Sequence, residues 1–339
     1  MGGLSVLTKR GLAALVVGVV GLAWSTAQAE PTKIRIAWSV APAQLAPILY
    51  DPPGVAKNHG KTYVLETTRH TGSSNTLTAL ATGELDIAPM TFNVFAPAIL
   101  NAQMTDLRII ADEIRDGIGE YATNQYMVLK DSPIKKVEDL KGKVMAMNGI
   151  GGGQDIFMRV MLRKHGLEYP RDFTIIESNF PAMRAMLVEK KADLVVGVKP
   201  FTEDPRFKSA ARTLFTQKEA VGESDMLFLT ARKGFLEKNR AAVVDFLEDY
   251  VRVTRWYIDP ANQKEAIAIV SKFTKAPPEQ LGWIFTKGDF YRDPNGRPDV
   301  GQIQKSMDML KDFSFIKTHL DVQKYTDLSL LDEAAKRVK

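Results

Sequence analysis

Two short turns of small residues could hold a polar or anionic ligand. Each turn directly precedes a predicted helix, whose first backbone amides have no intrahelical acceptor and lie at the positive end of the helix dipole. Such a helix start suits a carboxylate, sulfonate or phosphate group. One turn alone is commonly a plain helix cap or a flexible loop, so a ligand site requires both turns to face one cleft. The candidate residues are Thr71, Gly72, Ser73 and Ser74 in the first turn, and Gly151, Gly152, Gly153, Gln154 and Asp155 in the second.

Residues that follow predicted strands are further candidates for the same ligand. In an open α/β sheet, the ligand crevice lies beyond the carboxyl ends of the strands. The Trp38 ring could stack on a ligand or belong to the core, and Lys199 could neutralise an anion or remain on the surface. Arg115, near a predicted hinge, could likewise neutralise an anion or remain on the surface. The candidates after strands are Trp38, Ser39, Met90, Thr91 and Lys199.

The sequence contains no recognisable catalytic motif. The glycine-rich turn is neither a dinucleotide fingerprint nor a nucleotide P-loop, since position 154 is Gln154 and no Lys-Ser/Thr pair follows. No Gly-x-Ser-x-Gly or His-Glu-x-x-His motif occurs. The four histidines are scattered, and the absence of cysteine excludes thiolate catalysis, disulfides and zinc–thiolate sites. We therefore expect a binding protein with no catalytic residues, cofactor or metal.

The first 29 residues have the three parts of a secretory signal peptide. Lys9 and Arg10 form a basic segment, residues 11–24 an apolar run, and Ala27-Gln28-Ala29 a cleavage site. The apolar run is shorter than the roughly 20 residues of a membrane-spanning helix, so cleavage is favoured over anchoring. A Sec-type signal is favoured over a twin-arginine signal, because one of the paired positions is lysine. We expect an exported protein without a lipid anchor, in the periplasm or released to the medium.

The remaining chain is long enough for two domains and only mildly basic. About 310 residues follow the signal peptide, which is more than one hydrophobic core usually supports. The formal charge of the whole chain is +5, and acidic and basic residues are interspersed. A mildly basic charge is compatible with an anionic ligand. The absence of a basic cluster gives no indication of nucleic-acid binding.

Short apolar strands alternate with amphipathic helices, which indicates an α/β fold. A strand, a small-polar turn, a helix and a short strand occur in that order twice, as in two similar lobes around a cleft. Predicted strands lie at 34–38, 63–67, 85–89, 126–129, 144–147, 173–176, 192–198 and 226–229. Predicted helices begin near residue 42 and lie at 75–82, 95–101, 154–164, 182–190, 240–258, 263–273 and 302–313.

The order of these motifs resembles a family: the solute-binding proteins of ABC importers for aliphatic sulfonates, taurine and nitrate, with relatives that bind a thiamine pyrimidine precursor. The resemblance rests on the Thr71 turn and the glycine-rich turn, together with the segments at 80–87, 137–143, 162–167 and 188–193. It implies a type II periplasmic binding protein fold, with two lobes joined by two crossing strands. Lobe I would take residues 30–121 and 225–339, and lobe II residues 122–224.

The same resemblance implies a function. Ligand binding would close the lobes like a hinge, and the closed monomer would dock on a membrane permease. The ligand loops would fall at Trp38-Ser39, Ser73-Ser74, Met90-Thr91, 151–155 and near Lys199. Two alternatives stay open: a sensor that presents its ligand to a membrane receptor, and a binding protein or enzyme of the pyrimidine-precursor branch. The three consecutive glycines leave no side chain at that turn to select one head group.

Overall fold

Two five-stranded sheets organise the chain, and the α/β class is confirmed. The structure is a computed structural model that describes residues 30–338, so the predicted signal peptide lies outside the described residues. The first sheet contains β1 (Thr32–Trp38), β2 (Tyr63–Arg69), β3 (Ile87–Met90), β4 (Leu107–Asp116) and β10 (Ser224–Arg232). The second contains β5 (Gln125–Leu129), β6 (Val144–Met147), β7 (Thr174–Glu177), β8 (Leu194–Gly197) and β9 (Ala211–Thr216).

The two sheets have the same strand order. The first runs β2-β1-β3-β10-β4 and the second β7-β6-β8-β5-β9. The first three strands of each sheet are parallel, and the fourth strand runs antiparallel to both of its neighbours. The chain leaves the first sheet through residues 117–124 and returns through residues 217–223. The chain therefore passes between the two sheets twice, and the second of these connections includes a helix, Gln217–Val221. The lobe boundaries stay a prediction.

Eleven α-helices are described in residues 30–338. We call residues 30–116 and 224–338 the first-sheet side, and residues 125–221 the second-sheet side. The helices of the first-sheet side are α1 (Ser73–Ala81), α2 (Phe92–Leu100), α7 (Lys233–Lys238), α8 (Arg240–Ile258), α9 (Gln263–Thr274), α10 (Val300–Asp312) and α11 (Ser329–Arg337). Those of the second-sheet side are α3 (Gly153–Lys164), α4 (Met183–Val188), α5 (Pro205–Ala210) and α6 (Gln217–Val221).

The core follows from the apolar faces of these elements. Helix α8 buries Val243, Phe246 and Leu247 in the cluster that contains Ile34 and Ile36 of β1. A second cluster lines the interior of the second sheet and extends into β3, α2 and β10 of the first. One apolar cluster therefore contains residues of both the first-sheet and the second-sheet side, so the two sides are in apolar contact.

The predicted helix near residue 42 was wrong. The segment forms turns and one short 3₁₀ helix, Ala46–Ile48, because Pro42 and Pro47 each lack an amide hydrogen for helical hydrogen bonding. Strands β4 and β9 were missed. Strand β4 carries Asp112, Glu113 and Asp116, and charged residues are rarely buried in a strand, yet all three are buried here.

Candidate functional site

A cavity of about 270 Å³, which we call the inner cavity, lies between the first-sheet and second-sheet sides. Both predicted turns border it, each from its own side, so the structure brings together the two halves of the predicted site. Ten of the predicted residues line it: Ser39, Thr71, Gly72, Ser73, Ser74, Thr91, Gly152, Gly153, Gln154 and Lys199.

Four predicted residues do not line the inner cavity. Met90 is fully buried and belongs to the hydrophobic core cluster. Asp155 is also buried, pairs with Arg159 at 2.7 Å and accepts the Gly151 amide at 2.7 Å, so it supports the turn from behind. Gly151 does not line the cavity, and its carbonyl accepts a hydrogen bond from the Asn93 side chain. Trp38 lines a neighbouring cavity, which is described below.

Two helices begin at this cavity without a side-chain cap. Gly72 is the N-cap of α1 and Gly152 the N-cap of α3, and neither helix start has a capping hydrogen bond from a side chain. Thr91, the N-cap of α2, also makes no capping hydrogen bond. The first-turn amides of an uncapped helix remain free to donate and carry the positive end of the dipole. The arrangement therefore offers several donors to one acceptor-rich group.

Buried polar atoms in the cavity wall also lack partners. Thr91 Oγ1 and Asn124 Oδ1 have no hydrogen-bond partner among residues 30–338, although both side chains are at most 5% exposed. Asn148 is partly exposed, but its Oδ1 atom is buried and also has no partner among residues 30–338. An unsatisfied buried polar group costs about 1–3 kcal/mol, so a ligand that reached these atoms would recover part of that cost. Asn124 and Asn148 were not among the predicted residues, because neither was placed in one of the two turns that directly precede a helix.

The two sides touch at the base of the inner cavity. The Asn93 amide group donates to the Gly151 carbonyl at 2.9 Å, and the Phe92 and Phe157 rings lie 5.2 Å apart. A Cβ atom on Gly153 would approach Thr91 Cγ2 to 3.0 Å. Glycine at position 153 therefore permits the close approach of α2 and α3 that shapes the cavity floor.

The charged side chains of the inner cavity are already engaged. The Lys199 ammonium pairs with the Glu203 carboxylate and lies 4.8 Å from the centre of the Trp283 ring. Glu177 accepts the Ile150 amide at 2.7 Å. Lys199 thus lines the site as predicted, but its charge is shared with a partner. The helix starts, rather than a free cation, provide the positive potential here.

Arg115 does not line the inner cavity. Its guanidinium is 3.2 Å from Asp112, 3.7 Å from Asp225 and 3.8 Å from Asp293. The Asp112 and Asp293 carboxylates neutralise the charge that Arg115 could offer to an anion. Burial raises the pKa of Asp225 well above its ordinary range, since desolvation and the neighbouring Asp112 outweigh the arginine. None of the four histidines lines the inner cavity.

Hydrogen bonds connect the buried Glu113 carboxyl group with Gln44 and Ser39, which line one wall of the inner cavity. Glu113 Oε2 accepts a hydrogen bond from the Gln44 side chain at 3.1 Å, and Gln44 Oε1 accepts the Ser39 amide at 2.5 Å. Glu113 Oε1 has no partner among residues 30–338. Burial raises the pKa of Glu113 to about 8, against the opposing effects of Gln44 and Arg292. Glu113 is therefore protonated at neutral pH.

This protonation predicts a pH dependence of stability. The unfolded chain releases the proton near the ordinary pKa of 4.5, whereas the folded chain keeps it until about pH 8. The free energy of unfolding therefore falls as the pH rises through this window, by up to about 1.4 kcal/mol per pH unit for one group, and the loss ends above it. Glu113→Gln should reduce this fall between pH 6 and 8, measured by urea unfolding. The exposed variant Glu84→Gln is the control, and equal pH slopes for Glu113→Gln and wild type would contradict the prediction.

A second and larger cavity adjoins the first. This outer cavity measures about 570 Å³ and shares Ser39, Val40 and Phe180 with the inner cavity. Trp38 lines it and packs edge-to-face on Phe273, with ring centres 5.5 Å apart. Trp38 thus lines a cavity and also packs against the core cluster of β1 and α8, and its contact with a ligand stays a prediction. No histidine lines the outer cavity either.

Neither a metal-binding cluster nor a membrane-spanning helix is found among the described residues. In residues 30–338, no group of three or more His, Cys, Asp or Glu side chains is placed to hold a metal ion. Over the same residues, every helix is too short or too polar to cross a bilayer.

The paired sheets and the cavity between them define a periplasmic binding protein fold. The alkanesulfonate-binding protein SsuA from Xanthomonas axonopodis pv. citri, solved with MOPS, is similar over 88% of this chain and 99% of its own, with a TM-score of 0.68 and 16% identity. The nitrate-binding protein NrtA from Synechocystis PCC 6803 is similar over 91% of this chain and 90% of its own, with a TM-score of 0.69 and 18% identity. The chain belongs to the NMT1-like family, whose model matches residues 27–271. Among curated proteins, no significant match is found.

The same fold also occurs in an enzyme. The desulfurization enzyme DSZB is similar over 90% of this chain and 99% of its own, with a TM-score of 0.64 and 11% identity. Identities this low establish a shared fold and leave the chemistry to the residues of each site.

Proposed function

We propose that this chain is a periplasmic solute-binding protein that captures a small organic anion and delivers it to the permease of an ABC importer. The observation that carries the proposal is the pair of uncapped helix starts, at Gly72 and Gly152, on opposite sides of one cavity. The unpartnered Thr91 and Asn124 side-chain atoms in the same wall support it. A sulfonate, nitrate or carboxylate could accept from both helix starts at once.

Hinge closure would accompany binding. Lobe I would comprise residues 30–121 and 225–339 and lobe II residues 122–224, joined through the connections at 117–124 and 217–223. Since each lobe contributes one helix start, a ligand gains its full set of donors only when the lobes are together. Binding would therefore favour the closed form, which the permease would recognise. The N-terminal signal peptide would place the monomer in the periplasm.

A ligand screen of the mature protein tests this proposal. Sulfonates, nitrate, carboxylates, aromatic acids and pyrimidines are compared by thermal shift, and hits are measured by isothermal titration calorimetry. A true ligand at a hundred times its dissociation constant should stabilise the fold by about 2.7 kcal/mol. Selection of a pyrimidine over every anion would favour the pyrimidine-precursor alternative. Chemical turnover of a hit, without simple reversible binding, would replace the binding function with an enzymatic one.

A further inference from the structure

The outer cavity has aromatic walls on both sides of the cleft. Trp38 and Phe273 come from the first-sheet side. Phe180 and Phe201 come from the second-sheet side, with ring centres 6.3 Å apart and planes inclined by 20°. Aromatic walls on both sides suit a flat ring placed between them, since aromatic pairs gain energy beyond the area they bury.

Apolar surface is left open to water at these cavities. Three large apolar side chains are exposed in residues 30–338, and two of them line the cavities. Ile150 is 45% exposed in the inner cavity, and Phe273 is 37% exposed in the outer one. Exposed apolar groups inside a concave site are characteristic of ligand contact, because a bound molecule covers them.

The outer cavity also contains two arginine side chains that form no close ion pair among residues 30–338. Its two acidic residues are engaged: Glu203 pairs with Lys199 and Lys208, and Asp204 pairs with Arg206 at 2.8 Å. Arg69 and Arg184 also line the cavity, and neither guanidinium forms an ion pair within 4.0 Å among residues 30–338. The Arg69 guanidinium instead lies 5.6 Å from the centre of the Trp38 ring.

We infer that the outer cavity binds the far end of an elongated ligand: an aromatic ring with an anionic substituent held by Arg69 and Arg184. This inference rests on the proposed function, in which the inner cavity holds the head group. The inner cavity alone is smaller than common ligand pockets of about 300–1,000 Å³, whereas the two adjoining cavities together fall within that range. Arg69 and Arg184 belong to opposite sides of the cleft, so one anionic substituent between them would also link the two sides.

Three probes separate the contributions of ring and charge. Methanesulfonate has a head group only, benzenesulfonate adds the ring, and 4-sulfobenzoate adds the second anion. Calorimetry on the mature wild-type protein should show about tenfold tighter binding at each addition. The double variant Arg69→Gln/Arg184→Gln should remove the gain of 4-sulfobenzoate and change benzenesulfonate affinity by less than about twofold. Arg232→Gln, outside both cavities, is the matched control and should leave all three affinities as in wild type.

The outcomes distinguish this inference from the proposed function. If Gly152→Asp abolishes binding of every probe while the arginine variant changes none, the outer-cavity inference is overturned and the inner site stands. If 4-sulfobenzoate binds to Gly152→Asp as to wild type but not to the arginine variant, the outer site stands and the inner site fails. Absence of binding by all three probes, or equal affinity for them, would overturn the inference.

Discussion

Replacing Gly152 with aspartate is expected to abolish ligand binding while leaving the fold as stable as the wild type. Gly152 is the N-cap of α3, and no side chain now caps this helix. Aspartate is among the best N-cap residues, because its carboxylate accepts from the first-turn amides. Those amides are the donors that we assign to the ligand. The new carboxylate would occupy them and repel an anionic head group.

The expected loss of affinity is large. Hydrogen bonds to a charged group contribute about 1.5–3 kcal/mol each, so loss of two lowers affinity by about 100-fold or more. The free energy of unfolding should change by a few tenths of a kcal/mol, in either direction. Affinity is measured by calorimetry with the tightest hit of the screen, and stability by urea unfolding.

Gly152→Ala is the matched control for this variant. A Cβ atom at position 152 meets the Gly149 carbonyl oxygen at 3.1 Å, and alanine introduces this contact without a carboxylate. We expect the alanine variant to keep most of the affinity. Equal losses for alanine and aspartate would assign the effect to the contact with Gly149. Unchanged affinity in Gly152→Asp would remove this helix start from the site.

Replacing Arg292 with methionine is expected to destabilise the protein by about 3–5 kcal/mol. The Arg292 side chain is 2% exposed and pairs at 2.9 Å with Asp289, which is 1% exposed. Its guanidinium also donates to the carbonyls of Pro42 and Ala43, at 3.0 and 3.1 Å. Methionine fills similar space but leaves the buried Asp289 carboxylate without its cationic partner, although two backbone amides still donate to it. The carbonyls of Pro42 and Ala43 also lose their arginine donor. Breaking one partner of a buried pair is costly for this reason.

A surface ion pair provides the comparison for Arg292. Arg240 pairs with Glu333 at 2.8 Å, and both side chains are at least 41% exposed. Arg240→Met should change the free energy of unfolding by about 1 kcal/mol at most, because exposed pairs are weak. Guanidinium unfolding of both variants, analysed by linear extrapolation, gives the difference. A value for Arg292→Met within 1 kcal/mol of the wild type would contradict the structural role of this pair.

Loss of Arg292 should also weaken ligand binding. Ala43, whose carbonyl Arg292 holds, lines the inner cavity beside Gln44. Gln44 in turn connects Glu113 with the Ser39 amide. Freeing residues 42–44 would therefore loosen one wall of the site, and we expect lower affinity in the folded fraction of Arg292→Met.

Local features of the sequence were sufficient for the fold class and for both helix starts. The Thr71 turn and the glycine-rich turn were recognised because N-cap signals involve only a few neighbouring residues. The spacing of apolar residues along the sequence predicted most of the longer helices. Helix α8 was predicted with the bounds that the structure has, Arg240–Ile258. The repeated order of strand, turn and helix also predicted that the two turns would matter as a pair, and the resemblance to a known family agreed with this expectation.

Tertiary structure decided which of these residues work together. Asn93 contacts Gly151 across 58 positions of the chain, and Gln44 contacts Glu113 across 69. No local pattern specifies such contacts, so the unpartnered Thr91 and Asn124 atoms could not be recognised beforehand. Strand β4 was missed because charged residues are rarely buried in a strand, yet ion pairing and a protonated carboxyl group allow this strand to be buried. Local preference determined the helix starts of this protein, whereas long-range packing determined that they face one cavity, because burial and charge pairing depend on residues distant in the chain.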